Sequence, residues 1–77
     1  MVTERLYDCI LGYHLTNGQL ISETFYQDLP SEVWATVRQE FLDFNTSMEL
    51  QPSDTFAKIL VPKSNILYIT LKLSDKS

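Results

Sequence analysis

Seventy-seven residues, 44% apolar and 21% charged with a net charge of −4, leave room for one folded domain and supply too many core residues for disorder. A single cysteine, Cys9, excludes an internal disulfide, and with the one histidine, His14, it falls short of the four ligands of a structural zinc site. No apolar run reaches the roughly 20 residues of a membrane span, and residues 1–8 carry acids where a secretory signal would carry an apolar stretch.

Residues 6–26 read as a β-hairpin. Asn17-Gly18 suits the positive φ that a two-residue type I′ turn demands at both central positions. Centring the turn there pairs Leu15 with Leu20, Tyr13 with Ser22, Leu11 with Thr24 and Cys9 with Tyr26. Side chains alternate along a strand, so these residues and Tyr7 share one side of the ribbon. The other side then carries Asp8, Ile10, Gly12, His14, Ile21, Glu23 and Phe25. The first side is the more apolar and is expected to cover the core. Packing of the helix on the second side, with the tyrosines wet, is the alternative.

Asp28-Leu29-Pro30-Ser31 signals a helix start, with proline in the first turn and Asp28 or Ser31 as the cap. The helix is expected over 31–44. Val33, Val37, Phe41 and Phe44 form one apolar stripe flanked by Trp34 and Leu42, opposite a wet side of Arg38, Gln39, Glu40 and Asp43. Residues 45–54 read as a loop with a short extended piece at Met48–Gln51; its Asn45-Thr46-Ser47 sequon is read as a plain polar turn. A second hairpin is expected over 55–73, its strands Phe56–Val61 and Ile66–Leu73 joined by the turn residues Pro62-Lys63-Ser64-Asn65. Ile66–Leu71 is apolar at nearly every position, which suggests a central strand covered on both faces. The fold class is therefore α+β: a β-β-α-β-β antiparallel sheet, curled or barrel-like if it shelters its own second face, with one amphipathic helix on one face.

Catalytic chemistry finds little support. Cys9 and His14 are an odd number of residues apart on a regular strand, hence on opposite faces, and cannot form a nucleophile–base pair. One histidine without a nucleophile elbow argues against serine chemistry. Glu40 and Asp43 are neighbours on a solvated helix face rather than in a cleft, and Gly12 and Gly18 cannot make a phosphate-cradling loop. No catalytic residue, metal or cofactor is assigned, and binding is the expected role.

Two kinds of partner follow from the residues. An excess of apolar faces points to a protein partner, most simply a second copy in a two-fold homodimer. Its candidate interface is Ile10, Ile21 and Phe25 on the outer side of the first hairpin, with Leu67, Ile69 and Leu71 on the last strand. Charge suggests the alternative. Residues 1–54 carry −7 and residues 55–77 carry +3, so Lys58, Lys63 and Lys72 with Tyr68 for stacking would make a small nucleic-acid or anion platform. A sequence pI near 4.6 and only two arginines disfavour it. An acidic mimic of nucleic acid, blocking a basic target, is a further variant. The cytoplasm is the expected compartment.

Overall fold

The computed structural model describes residues 4–55 and 57–74; Phe56, Asp75 and Lys76, all counted above, lie outside them. The fold is α+β. Strands β1 (Tyr7–Leu15) and β2 (Leu20–Asp28) lead into helix α1 (Pro30–Leu42). Short strands β3 (Ser47–Leu50) and β4 (Ile59–Pro62) follow, and a 3-10 turn (Lys63–Asn65) delivers β5 (Ile66–Ser74). The strands form two antiparallel sheets, one in the order β2-β1-β5 and the other a β3-β4 ribbon. Among the described residues no closed barrel forms.

The first hairpin is where the sequence places it, but its register is one residue away from the expected one. Leu15 N–H donates to Gln19 C=O at 2.9 Å and Gly18 N–H to Leu15 C=O at 3.1 Å, with Gly18 at φ +88°. This is a three-residue loop closed by a left-handed glycine, not a two-residue turn. The Asn17 side chain supports it by accepting from Gln19 N–H at 3.0 Å. Tyr13 therefore pairs with Ile21, Leu11 with Glu23 and Cys9 with Phe25. One residue of slip exchanges the two sides of β2. Ile21, Glu23 and Phe25 move to the inner face, so the expected cluster of Ile10, Ile21 and Phe25 does not exist: Ile10 alone stays on the outer face. A bulge at the far end of β2 restores Tyr7 to Asp28. Gln27 takes φ +50° there, and the Asp8 carboxylate accepts from its backbone N–H at 3.0 Å and its side-chain amide at 3.1 Å.

The expected second hairpin does not form. β4 pairs with β3, the extended piece foreseen near Met48, while β5 crosses to the far side of β1. The turn that separates them is tied down at both ends: Lys63 N–H donates to Thr46 C=O and Thr16 N–H to Asn65 C=O, each at 2.8 Å. β1 is thus the central strand and β5 an edge strand. The apolar run of β5 is not explained by burial on both faces.

Cys9, Leu11, Tyr13 and Leu15 line the inner face of β1 and are the heart of the core. Two layers cover them. Val33 and Val37 of α1 sit on one part, and Met48, Leu50 and Val61 of the ribbon on the rest. The helix stops at Leu42, so Phe44 falls beyond it and is fully exposed, and Phe41 and Trp34 are not buried. Its cap also differs from expectation. Leu29 is the N-cap residue; Asp28 accepts from Leu29 N–H at 2.8 Å and the Glu4 carboxylate accepts from Ser31 N–H at 2.8 Å.

On the outer face Gly12 lies between Ser22 and Thr70. A Cβ at this position would stand 2.8 Å from Thr70 Oγ1 and 3.3 Å from Leu20 Cδ1. Thr70 is β-branched and cannot turn its hydroxyl aside freely. Gly12→Ala should lower unfolding free energy by roughly 1–2 kcal/mol. Urea melts in the wild-type and Thr70→Ala backgrounds check this, with a smaller loss expected where the hydroxyl has been removed.

Candidate protein-interaction surface

The edge chemistry of the larger sheet follows from the ladder. Leu15 N–H points toward β2, so by alternation Cys9, Leu11 and Tyr13 do too, and Ile10, Gly12 and His14 turn their backbone groups to β5. Tyr68, Thr70 and Lys72 answer them. The N–H and C=O groups of Ile69, Leu71 and Leu73 consequently face away from the sheet. The same logic leaves Ser22 C=O outward on β2, and there Ser53 N–H closes it at 2.8 Å, with Ser53 Oγ donating to it at 3.2 Å. Among the described residues no backbone group pairs with the outer edge of β5.

Beside that open edge runs a largely apolar groove of about 420 Å3 between α1 and β5, bordered by Trp34, Phe41, Leu42, Leu67 and Tyr68, with Arg38 the one charged residue of its lining. Leu67 is 63% exposed and Leu42 68%. Leu67 is thrown outward because it is the extra residue of a bulge: Leu15 pairs with Ile66 and His14 with Tyr68, leaving Leu67 opposite nothing. Of the residues singled out from the sequence, Leu67 and Ile69 line this groove. Leu71 and Ile69 are half-buried on the inner face, while Ile21 and Phe25 sit at the other edge of the sheet. The partners Trp34, Phe41 and Leu42 were missed because helical spacing alone assigns them to the core stripe or its flank.

The basic residues are not assembled as a platform. Lys63 Nζ lies 2.8 Å from Asp43 Oδ1 and 3.3 Å from Asp43 C=O, and its side chain is only 14% exposed. That hydrogen bond, aided by Asn45 N–H, holds the Asp43 carboxyl below its ordinary range. Lys58 immediately precedes β4, with its Nζ 3.5 Å from the Glu49 carboxylate. Tyr68 stacks on His14 at 4.2 Å between ring centroids, and Lys72 shares that outer face four residues on.

The acids meet elsewhere. Glu23, Asp28, Glu32, Glu40 and Glu49 rim a cleft of about 250 Å3 between α1 and the sheet. Glu23 is committed to structure: it accepts from the buried Tyr13 hydroxyl at 2.9 Å and from Gln51 N–H at 2.7 Å. Among the described residues no group of three or more His, Cys, Asp or Glu is arranged to hold a metal ion. Cys9 is on the inner face with its thiol pushed up by burial and by nearby Asp28, and His14 is on the outer face, so the two stand apart as alternation requires. No helix of the described residues is long and apolar enough to cross a membrane. The chain matches no protein-family model, no curated protein and no solved structure.

Burial, then the neighbouring Glu23 carboxylate, raises the Tyr13 phenol well above its ordinary value of 10.0. A raised folded-state pKa means the folded form holds this proton more tightly than the unfolded form. The associated stability is present in full below about pH 10 and is lost as pH rises above it. Tyr13→Phe should cost about 1 kcal/mol at neutral pH through the lost hydrogen bond. Above pH 10 its denaturant midpoint should fall less steeply than that of the wild type, which chemical unfolding from pH 7 to 11.5 measures.

Proposed function

We propose that this chain is a non-enzymatic protein-interaction module, a regulatory accessory of the cytoplasm whose working form is a homodimer. What supports the reading is one surface: an unpaired strand edge lying beside an apolar groove rimmed by Trp34, Phe41, Leu42, Leu67 and Tyr68. Contiguous apolar surface of this kind on a small domain marks an interface. The groove is better suited to a protein than to nucleic acid, because Arg38 is the single cation of its lining and the lysines that would hold phosphates are paired with Asp43 and Glu49 or stand apart at Lys72.

Sedimentation at micromolar concentrations should give the mass of two chains. Leu67→Glu, a substitution at a mostly exposed site, should leave the unfolding free energy of the single chain within about 0.5 kcal/mol of wild type. It should weaken self-association at least roughly tenfold, an effect of about 1.4 kcal/mol. Equal monomer masses for wild type and variant, both folded, would remove the reading.

A further inference from the structure

We infer that the second copy docks edge to edge, β5 against β5 in antiparallel alignment about a two-fold axis that passes beside Thr70, giving a continuous six-stranded sheet β2-β1-β5-β5-β1-β2. This rests on the homodimer reading above and specifies its geometry.

Three observations select this occupant and this alignment. The outward groups belong to Ile69, Leu71 and Leu73, so antiparallel pairing must match these residues with one another, which restricts the register to steps of two. Overlap of the whole strand, Ile66–Ser74, requires Thr70 to face its own copy. Ile69 then pairs with Leu71 of the second copy, and Leu67 with Leu73.

The outer face agrees. Thr70 meets Thr70, a favourable cross-strand pair, and each Lys72 meets the exposed ring of Tyr68 instead of another lysine. The neighbouring registers, centred on Ile69 or Leu71, shorten the overlap of Ile66–Ser74 by two residues and take Lys72 away from Tyr68; one centred on Lys72 would also set the two lysines directly opposite each other, an arrangement that costs free energy. The charge pattern is thus complementary to itself at Thr70 and not at Lys72.

Area is also sufficient. Trp34, Phe41, Leu42, Leu67, Tyr68 and Leu73 are each between 37% and 68% exposed. Together they offer on the order of 600 Å2 per copy before backbone is counted, close to the roughly 800 Å2 per partner of a standard interface.

Thr70→Cys tests the alignment. Directly opposed residues of a non-hydrogen-bonded antiparallel pair stand about 4.5 Å apart at Cα, within disulfide range. The native Cys9 is buried and does not compete. In a glutathione redox buffer Thr70→Cys should become a covalent dimer in high yield. Lys72→Cys, also exposed but facing Tyr68 of the second copy, should cross-link at least tenfold less. A wild-type dimer whose Thr70→Cys variant fails to cross-link, or cross-links no better than Lys72→Cys, overturns the β5 geometry and leaves self-association standing. A wild type that remains monomeric overturns both. Leu71→Pro adds an independent arm. It deletes an outward N–H without touching the ladder to β1, so it should yield a monomer that keeps its far-ultraviolet circular dichroism; a dimer that survives it counts against edge pairing.

Discussion

The turn at Gly18 sets the register of the first hairpin, and most of the molecule depends on that register. A three-residue loop closed by a left-handed glycine pairs Tyr13 with Ile21 and Leu11 with Glu23. The side chains of the core strand, Cys9, Leu11, Tyr13 and Leu15, are thereby joined on their own face by Ile21 and Phe25 instead of by Ser22 and Thr24. Glu23 also arrives on that face, where the Tyr13 hydroxyl and Gln51 N–H satisfy its carboxylate. A carboxylate brought to a partly buried face is tolerable only when its lone pairs are filled, and the tyrosine beneath it and the loop after β3 fill them. The same bond ties the β3-β4 ribbon to the sheet it covers.

Much of this was legible in the sequence. Asn17-Gly18 located the hairpin, Pro30 located the helix start to within a residue, and the alternation of Met48, Leu50, Ile59 and Val61 was visible as extended chain. What could not be read was pairing. The same Asn-Gly dipeptide serves a two-residue loop and a three-residue loop, and the choice between them reverses every side chain of β2. Strand partners were equally hidden, because β4 and β5 are neighbours in sequence and joined by turn residues, yet each has a better-matched partner elsewhere. Ile59 and Val61 complete an apolar row with Leu50 and Met48, and Ile69 and Leu71 complete one with Tyr13 and Leu11. The candidate surface was half visible for the same reason. Leu67 and Ile69 stood out as surplus apolar residues on the last strand, while Trp34 and Phe41 passed for core because period alone does not say how far a neighbouring layer extends.

Charged side chains in this chain act largely as fasteners. Asp8 holds the Gln27 bulge, Glu4 caps α1 through Ser31, Asp28 receives Leu29 N–H, and Lys63 clasps Asp43 at the helix end. The bonds of Asp8, Glu4 and Lys63 each tie together segments distant in sequence, which suits a chain whose core consists of a few side chains per layer. The uneven charge along the sequence is therefore largely spent inside the fold. Lys63 and Lys58 each offset an acid from the first two-thirds of the chain, and Lys72 is left as the isolated cation on the outer face of β5.

The two edges of the larger sheet are treated differently, and that difference bears on how the molecule ends. Exposed edges invite unlimited pairing, and proteins blunt them with bulges, charges or covering segments. At β2 two of these devices are present: the Gln27 bulge distorts one end, and Ser53 covers the middle through Ser22 C=O. At β5 the devices are the Leu67 bulge, at the end where the strand begins, and Lys72 toward the other end, and neither covers the outward backbone groups of Ile69 and Leu71. Joining two open edges about a two-fold axis consumes both, and the outermost strands of the resulting sheet are then two copies of β2, already covered. Each of these outer edges is interrupted at Ser22 and at the Gln27 bulge, which disfavours addition of a third chain. An open β5 edge would expose a lone chain to runaway association; the protected β2 edge is what would let pairing through β5 stop.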